Sequence, residues 1–311
     1  MTRPAIAAIG MASWDRMLVV DDYPEAGSYA VVRQMLEGPG GTTANTVAAL
    51  ARLGVPVTFA AKVGDDREGA ALRDGLAAEG CDVSAVTTRA GEPTDLGIII
   101  ISGSGERAER TIYWQQGARL RYGDPLPIAE LFAHDLVVVD VDDARLRQLI
   151  VDLPIHVAPR TRLLGTLTLL TELPPEQALA LAVRHDYLCG NERELRYVTG
   201  ETNLERALVR LRERMLLDQL RLAFISRGPL GCLVVTEEAA EAVPAFPVAA
   251  VDTTGAGDAF AAGVALGLIE RRAPGEIGRL ANALGALAVR GLGARASLPQ
   301  RAELDALLGR S

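Results

Sequence analysis

Seven short, almost purely apolar runs punctuate this chain: Ile6 to Ile9, Val57 to Val63, Leu136 to Val141, Ile155 to Ala158, Tyr187 to Cys189, Leu222 to Ser226 and Cys232 to Thr236. Between them lie stretches with the repeat of amphipathic helices, at Thr43 to Leu53, Arg67 to Glu79, Pro175 to Arg184, Leu204 to Met215 and Gly275 to Val289. A strand that is apolar at consecutive positions buries both of its faces, and a sheet does that only when helices cover both sides. The pattern predicts an α/β fold, a doubly wound and mostly parallel sheet. With 311 residues, 49% of them hydrophobic and 23% charged, the chain has enough apolar surface for one such core. A single domain over residues 1–311 is expected.

Two segments depart from this rhythm. Residues 16–37 and 95–116 alternate apolar and polar side chains, as in Val31-Val32-Arg33-Gln34-Met35-Leu36 and Thr111-Ile112-Tyr113-Trp114, around turn-like Glu25-Ala26-Gly27-Ser28 and Ser102-Gly103-Ser104-Gly105. Alternation marks a sheet with one buried face. A small antiparallel sheet projecting from the main layer is expected.

Residues able to carry chemistry gather at two points. Toward the C-terminus, Asp252-Thr253-Thr254-Gly255-Ala256-Gly257-Asp258-Ala259-Phe260 sets a small-residue turn and a carboxylate at the mouth of an apolar helix. Amides at a helix start have no intrahelical partner and carry the positive end of the dipole, so Gly255, Ala256 and Gly257 can enclose a developing anion. Asp258 can take the proton of a hydroxyl held before that trap, as transfer of an alcohol oxygen onto phosphorus requires. Near the N-terminus, Asp15 follows the first strand through Gly10-Met11-Ala12-Ser13-Trp14, at the carboxyl end where ligands gather in open α/β sheets. Its carboxylate can accept from both hydroxyls of a vicinal diol.

Five motifs in order carry a resemblance. They are Gly38-Pro39-Gly40-Gly41-Thr42-Thr43-Ala44-Asn45 running on to Leu53-Gly54, Val63-Gly64-Asp65-Asp66 with Gly69, Asn191 with Glu194, Ser226 with Gly228 and Gly231, and the run from Asp252 to Gly263. Spread over almost the whole chain, they identify it as similar to the ribokinase family, also called the PfkB carbohydrate kinases. The resemblance implies a ribokinase-like fold and ATP-dependent transfer of the γ-phosphoryl group to a hydroxyl of a small sugar: ribose, a ketohexose or a sugar acid, with nucleosides as an alternative. It implies that Asp15, Gly41 and Asn45 meet the substrate hydroxyls. An acidic side chain at the end of the strand from Leu136 would join them; the register leaves Asp140 and Asp142 open, with Asp142 carried as the site candidate and Asp143 read as a helix cap.

On the donor side the resemblance implies that Ser226, Gly228 and Gly231 hold nucleotide phosphates. It implies that Asn191 and Glu194 organise Mg2+ and its waters beside them, and it makes Asn282 a candidate for the adenine pocket. Asp252 and Thr254 would offer backbone carbonyls to a monovalent cation such as K+. The resemblance also implies that the projecting sheet is a lid over the sugar, which would keep water from the transferring group, and that a homodimer is joined through it. Two local readings compete: Asn191 with Glu194 has the form of a capping pair, and Ser226 to Gly231 that of a tight hairpin. Ser13 and Thr42 stand where many relatives carry asparagine and some carry lysine, which leaves the sugar open. Trp114 and Gln116 are candidates to reach the substrate from the lid. Arg107, Arg110 and Arg119 would suit a phosphorylated acceptor, the basis of a sugar-phosphate kinase alternative.

Other classes fit poorly. A formal net charge of -8 opposes a nucleic-acid partner. Lys62, the only lysine, precedes Val63, so no P-loop exists, and Gly10 to Asp15 lacks the glycine pattern of a nicotinamide site. A sugar-binding protein that had lost the chemistry would have no use for a base aimed at a phosphoryl group. Cys81, Cys189 and Cys232 form no metal or disulfide pattern, and His134, His156 and His185 have no ligand spacing. No apolar run reaches the ~18 residues of a membrane span, and the N-terminus lacks a signal-peptide pattern. A cytoplasmic protein without a membrane partner is expected.

Overall fold

The computed structural model describes residues 6–102, 109–156 and 160–309. The first half runs β1 (Ile6–Gly10), β2 (Ser13–Val20), β3 (Val32–Gly40), α1 (Thr42–Arg52), β4 (Val57–Gly64), α2 (Arg67–Ala78), β5 (Val86–Arg89), β6 (Asp95–Ser102) and β7 (Glu109–Gln115). There follow α3 (Ile128–Leu131), β8 (Leu136–Asp140), α4 (Ala144–His156), β9 (Arg162–Thr166), α5 (Pro175–Ala182), β10 (Tyr187–Asn191), α6 (Glu192–Thr199) and α7 (Leu204–Met215). The chain closes with β11 (Leu222–Ser226), β12 (Cys232–Val235), β13 (Ala240–Val243), α8 (Ala256–Ile269), α9 (Pro274–Ala288) and α10 (Arg301–Gly309).

Nine strands form one sheet in the order β13-β12-β11-β10-β9-β8-β1-β4-β5. Neighbours from β5 to β11 are all parallel, and β12 and β13 close one edge as antiparallel strands. This is the doubly wound class that the continuous apolar runs predict. Chain order turns back at β1, whose neighbours are β4 and β8, so the carboxyl ends of β1 and β8 flank the crevice where such sheets bind ligands. Gly10 pairs with Asp140 across that crevice.

Helices cover both faces. On one side α1, α2, α8 and α9 pack on the strands around Phe59, Val138, Phe224, Phe260 and Leu284. On the other, α5 to α7 cover β10 to β12, and α3 and α4 cover β1 and β8. Helix α8 is apolar all round because it lies between α1 and α9, with Ala259 to Gly267 buried without a break. Its first turn is carried thereby to the centre of the crevice.

The expected strand at Ile155 to Ala158 is corrected. Ile155 and His156 end helix α4, and residues 157–158 lie outside the described part. That helix starts on Asp143, whose Oδ1 accepts from the amides of Arg145 and Leu146 at 2.9 Å each, the capping role expected for it. The strand of this unit is β9, at Arg162–Thr166.

The lid is a second sheet of four strands, in the order β3-β2-β6-β7. Both hairpins are antiparallel as expected, and Ser28 N–H bonds Glu25 O at 2.9 Å in the first turn. The second expected turn lies beyond Ser102, outside the described residues. The hairpins join through a parallel β2–β6 pair, Ser13 opposite Asp95 to Val20 opposite Ser102, so the lid is mixed rather than purely antiparallel. The reason is geometric: β2 and β6 both leave the body outward, and each returns through its own partner.

Candidate active site

Gly255, the N-cap of α8, has φ 78°, and Asp258 stands in the first helical turn. The amide of Ala256 turns back to Thr253 O at 3.3 Å, so the first amides directed out of the helix start are those of Gly257 and Asp258. Asn45 Nδ2 donates to Asp258 Oδ2 at 2.8 Å, and Thr46 Oγ1 donates to Asp258 O at 3.1 Å. These bonds stitch the first turn of α1 to the first turn of α8. Burial pushes the Asp258 carboxyl up to about 7; the Asn45 hydrogen bond and Arg110 oppose that rise, while Asp140 and Asp15 add to it. A carboxylate poised there is matched to accepting a proton near neutral pH.

The acceptor-side candidates meet around the same cleft. Asp15 lies on β2, accepts from Ser13 Oγ at 3.1 Å, and is raised by burial to about 6. Gly41, the N-cap of α1, has φ 90°, and a Cβ there would stand 2.6 Å from Ser13 N, so only glycine lets the first loop and α1 approach this closely. Asp140 is buried at the end of β8 and accepts from Thr42 Oγ1 at 2.5 Å and more weakly from Thr43 Oγ1 at 3.4 Å. Its Oδ1 is buried without a protein partner. Asp142 diverges from it and pairs with Arg119, whose guanidinium lies 4.9 Å from the Trp114 ring centroid and donates to Gln116 Oε1 at 3.0 Å. Asp140 therefore faces the cleft beside Asp258, and Asp142 faces the base of the lid.

A cavity of about 530 Å³ opens on the other side of Asp258, walled by Phe246, Val248, Ala286, Val289 and the Gly228–Gly231 turn, with Gly257 and Ser226 at its inner end. Ser226 and Gly257 also line the narrow polar cleft that holds Asp140, Asn191, Glu194 and Asp258. The cavity and the cleft therefore adjoin along these residues. Ser226 to Gly231 does form a tight hairpin between β11 and β12, so that reading and proximity to the cavity hold together. So does the capping box: Asn191 Oδ1 accepts from Glu194 N and Glu194 Oε2 from Asn191 N, both at 2.9 Å, while Thr168 Oγ1 donates to Glu194 Oε1 at 3.2 Å. Burial raises the Glu194 carboxyl. Asn282 borders the cavity, but its Nδ2 is engaged by Val243 O at 3.0 Å and Pro244 O at 3.1 Å, so it braces the wall.

Residues 3–301 match the pfkB family carbohydrate kinases. The chain belongs to this family. The kinase is 30% identical over 314 residues to the ribokinase of Bacillus subtilis (strain 168), covering 97% of this chain and 99% of that one. It is likewise 30% identical over 294 residues to the fructokinase of Klebsiella pneumoniae, covering 88% and 92%. Its fold matches the ribokinase of Arabidopsis thaliana, solved with ribose and ATP, at a TM-score of 0.84 and 22% identity, covering 100% of both chains. Among the described residues, no helix is long and apolar enough to cross a membrane.

Three arrangements in this kinase escape sequence reading, one of them the contact made by Arg110, a residue the sequence offers only for a phosphorylated acceptor. Asp95 is fully buried beneath the lid and raised by burial to about 6, with Arg119 Nε 3.9 Å from its Oδ2. Arg110 reaches from β7 to Thr253 Oγ1 at 3.2 Å, tying the lid to the α8 loop. Arg295 is buried behind Asn45. A lone cation among small residues, as in Gly293-Ala294-Arg295-Ala296, is the one local signal that could have drawn notice to the last. Asp252 accepts from Thr254 N at 2.9 Å, Thr254 Oγ1 at 2.7 Å and Gly293 N at 2.8 Å. Those side chains serve the loop itself, which leaves main-chain carbonyls as what these two residues could offer a cation.

Proposed function

We propose that this carbohydrate kinase moves the γ-phosphoryl group of ATP to a hydroxyl of ribose or a ketohexose. The observation that carries the reading is the position of Asp258, between the Asp15 side of the crevice and the apolar cavity, at a helix start that can stabilise a transferring anion. Adenine fits the cavity, with the phosphates running over Ser226 and the Gly228–Gly231 turn toward Gly257. Asp15, Gly41 and Asn45 hold the sugar, and Asp142 meets it only from the base of the lid, where it is paired with Arg119. Asp258 takes the hydroxyl proton as the new O–P bond forms and the bond to the leaving ADP breaks, with the amides of Gly257 and Asp258 facing the phosphoryl oxygens.

The donor set of the polar cleft fits Mg2+ held through water. The Asp140 Oδ1 is buried without a protein partner, Glu194 already bonds Thr168 and Asn191, and no group of three or more ligating side chains occurs among the described residues. Such an ion, which keeps several waters, would neutralise charge on the leaving phosphates. Asp252 and Thr254 would serve K+ only through their carbonyls. The acceptor side favours a neutral polyol over a sugar phosphate, because Arg119 is paired with Asp142 and Arg110 is turned to Thr253; Arg107, the third candidate, lies outside the described residues and takes no part in the comparison.

ADP release with ATP and Mg2+ is expected with ribose or fructose, and weaker release with sugar acids, nucleosides and sugar phosphates. No acceptor-dependent release with any of them would refute the reading.

A homodimer through the lid is supported by its outer face. Leu18 pairs with Met35 and Ile100, and Ile98 with Tyr113; Met35 and Tyr113 are 66% and 59% exposed. An apolar face of this kind is typical of an interaction surface. Sedimentation should give a dimer that Met35→Glu with Tyr113→Glu converts to monomer; a monomeric parent protein at tens of micromolar would count against it. Three buried free cysteines accord with work in the cytoplasm, a reducing compartment.

A further inference from the structure

Arg295 lies in the loop between α9 and α10 and is 7% exposed. Its Nε donates to Asn45 Oδ1 at 2.8 Å and its Nη2 to Gly40 O at 3.3 Å. The loop is itself held from α1, because Arg52 Nη1 donates to Arg295 O at 2.8 Å and to Leu298 O at 3.2 Å while its Nε meets Glu79 at 2.6 Å. Burying a guanidinium is unfavourable unless its hydrogen bonds are needed. This one sits directly behind the only side-chain amide bonded to Asp258 among the described residues.

An asparagine amide can turn over, exchanging its acceptor oxygen and its donor nitrogen at little cost. Arginine has donors only. With Nε against Asn45, the oxygen is held on the Arg295 side and the NH2 group is left facing Asp258 Oδ2. Turned over, the amide would set two donors face to face and press its oxygen against the carboxylate. A donated N–H favours the ionised carboxylate, and a facing oxygen favours the protonated acid.

We propose that Arg295 is a positioning residue for phosphoryl transfer: it locks the Asn45 amide with its NH2 toward Asp258 and so keeps the base ready to accept a proton. The inference rests on reading Asp258 as the base. Other charged groups around Asp258 are Asp140 on β8, Asp15 on β2 and Arg110 on β7, with Glu194 on α6 lining the same cleft. Changing Arg295 also removes a charge that lowers the Asp15 carboxyl, so the amide is isolated by Asn45→Leu, which leaves Arg295 in place.

The test compares Arg295→Met, Arg295→Lys, Asn45→Leu and the Met–Leu double variant of the full chain, following ADP release with ATP, Mg2+ and ribose or fructose from about pH 5.5 to 9. In Arg295→Met the acid limb of kcat should move up by about one pH unit. Its deficit should be about tenfold near pH 6 and shrink toward pH 9, with KM for ATP unchanged. Arg295→Lys, which keeps a donor, should restore the limb. Asn45→Leu should displace the limb equally, and the double variant no further. A folded Arg295→Met that loses the same factor at every pH overturns the proposal. So does an unmoved limb in Asn45→Leu, which decides the matter even if Arg295→Met does not fold. Asp258→Asn serves as control: if it keeps turnover, the base assignment fails, whereas an inactive control beside unmoved limbs removes only the role given to Arg295.

Discussion

Replacing Asp258 with asparagine is expected to lower turnover by about 10²- to 10⁴-fold, with ATP binding retained. Asparagine matches the shape of the carboxylate and can still accept from Asn45 Nδ2, so the α1–α8 bond survives and only the proton acceptor is lost. The same substitution should stabilise the fold above neutral pH. The Asp258 carboxyl is raised from 3.8 to about 7, so between those values the native state holds a proton that the unfolded chain has released. Stability from this group therefore falls as pH rises through that window, and above about 7 the native state carries a poorly solvated charge. Asparagine removes that penalty. Thermal melting should show Asp258→Asn more stable at pH 8, by a few kcal/mol at most, with the difference gone near pH 4. Isothermal titration with ATP and a turnover assay complete the test. Full turnover in the variant, or a stability gain that is the same at pH 4 and pH 8, would contradict this account.

Gly255→Ala should be the second most damaging change, lowering kcat by about 10²- to 10³-fold. Gly255 has φ 78°, and a Cβ there would meet Ala294 O at 2.7 Å and Ala294 Cα at 2.8 Å. Two penalties combine: a left-handed backbone that alanine adopts poorly, and contact with backbone that cannot move aside as a flexible side chain would. Relief requires the start of α8 to shift away from the Ala294 loop, which carries the Gly257 and Asp258 amides off the phosphoryl position. A stability loss of about 1–3 kcal/mol should accompany it. Gly257→Ala separates the two effects, because a Cβ at Gly257 meets nothing within 4 Å. That variant should melt like the parent, so any loss of activity in it reports the obstructed approach to the amides. If Gly255→Ala turns over normally, the helix start is not the anion trap.

Much of this was legible along the chain because it depends on near neighbours. Continuous apolar runs such as Leu136 to Val139 and Leu222 to Ile225 read as strands buried on two faces, and alternation around Met35 and Tyr113 reads as a sheet exposed on one. The turn into α8 is equally local, since Gly255, Gly257 and Asp258 lie within one helical turn. Less regular pieces were missed or misplaced. Strand β13, Ala240–Val243, is an exposed edge with little apolar signal, and β9 begins at Arg162, beyond the apolar run from Ile155 whose start belongs to α4.

The sequence alone determined the family, the layered α/β class and the helix start that carries Asp258, because each is written in residues adjacent on one element. Tertiary structure alone decided that Asp140 faces the cleft while Asp142 turns to Arg119, that β2 and β6 run parallel, and that Arg295 stands behind Asn45. Those partners lie far apart in the chain, 250 positions in the last case, and no local period encodes which distant side chain will close a hydrogen bond. Burial does the rest: the charge behaviour of Asp258 follows from α1, β8 and the lid closing around it.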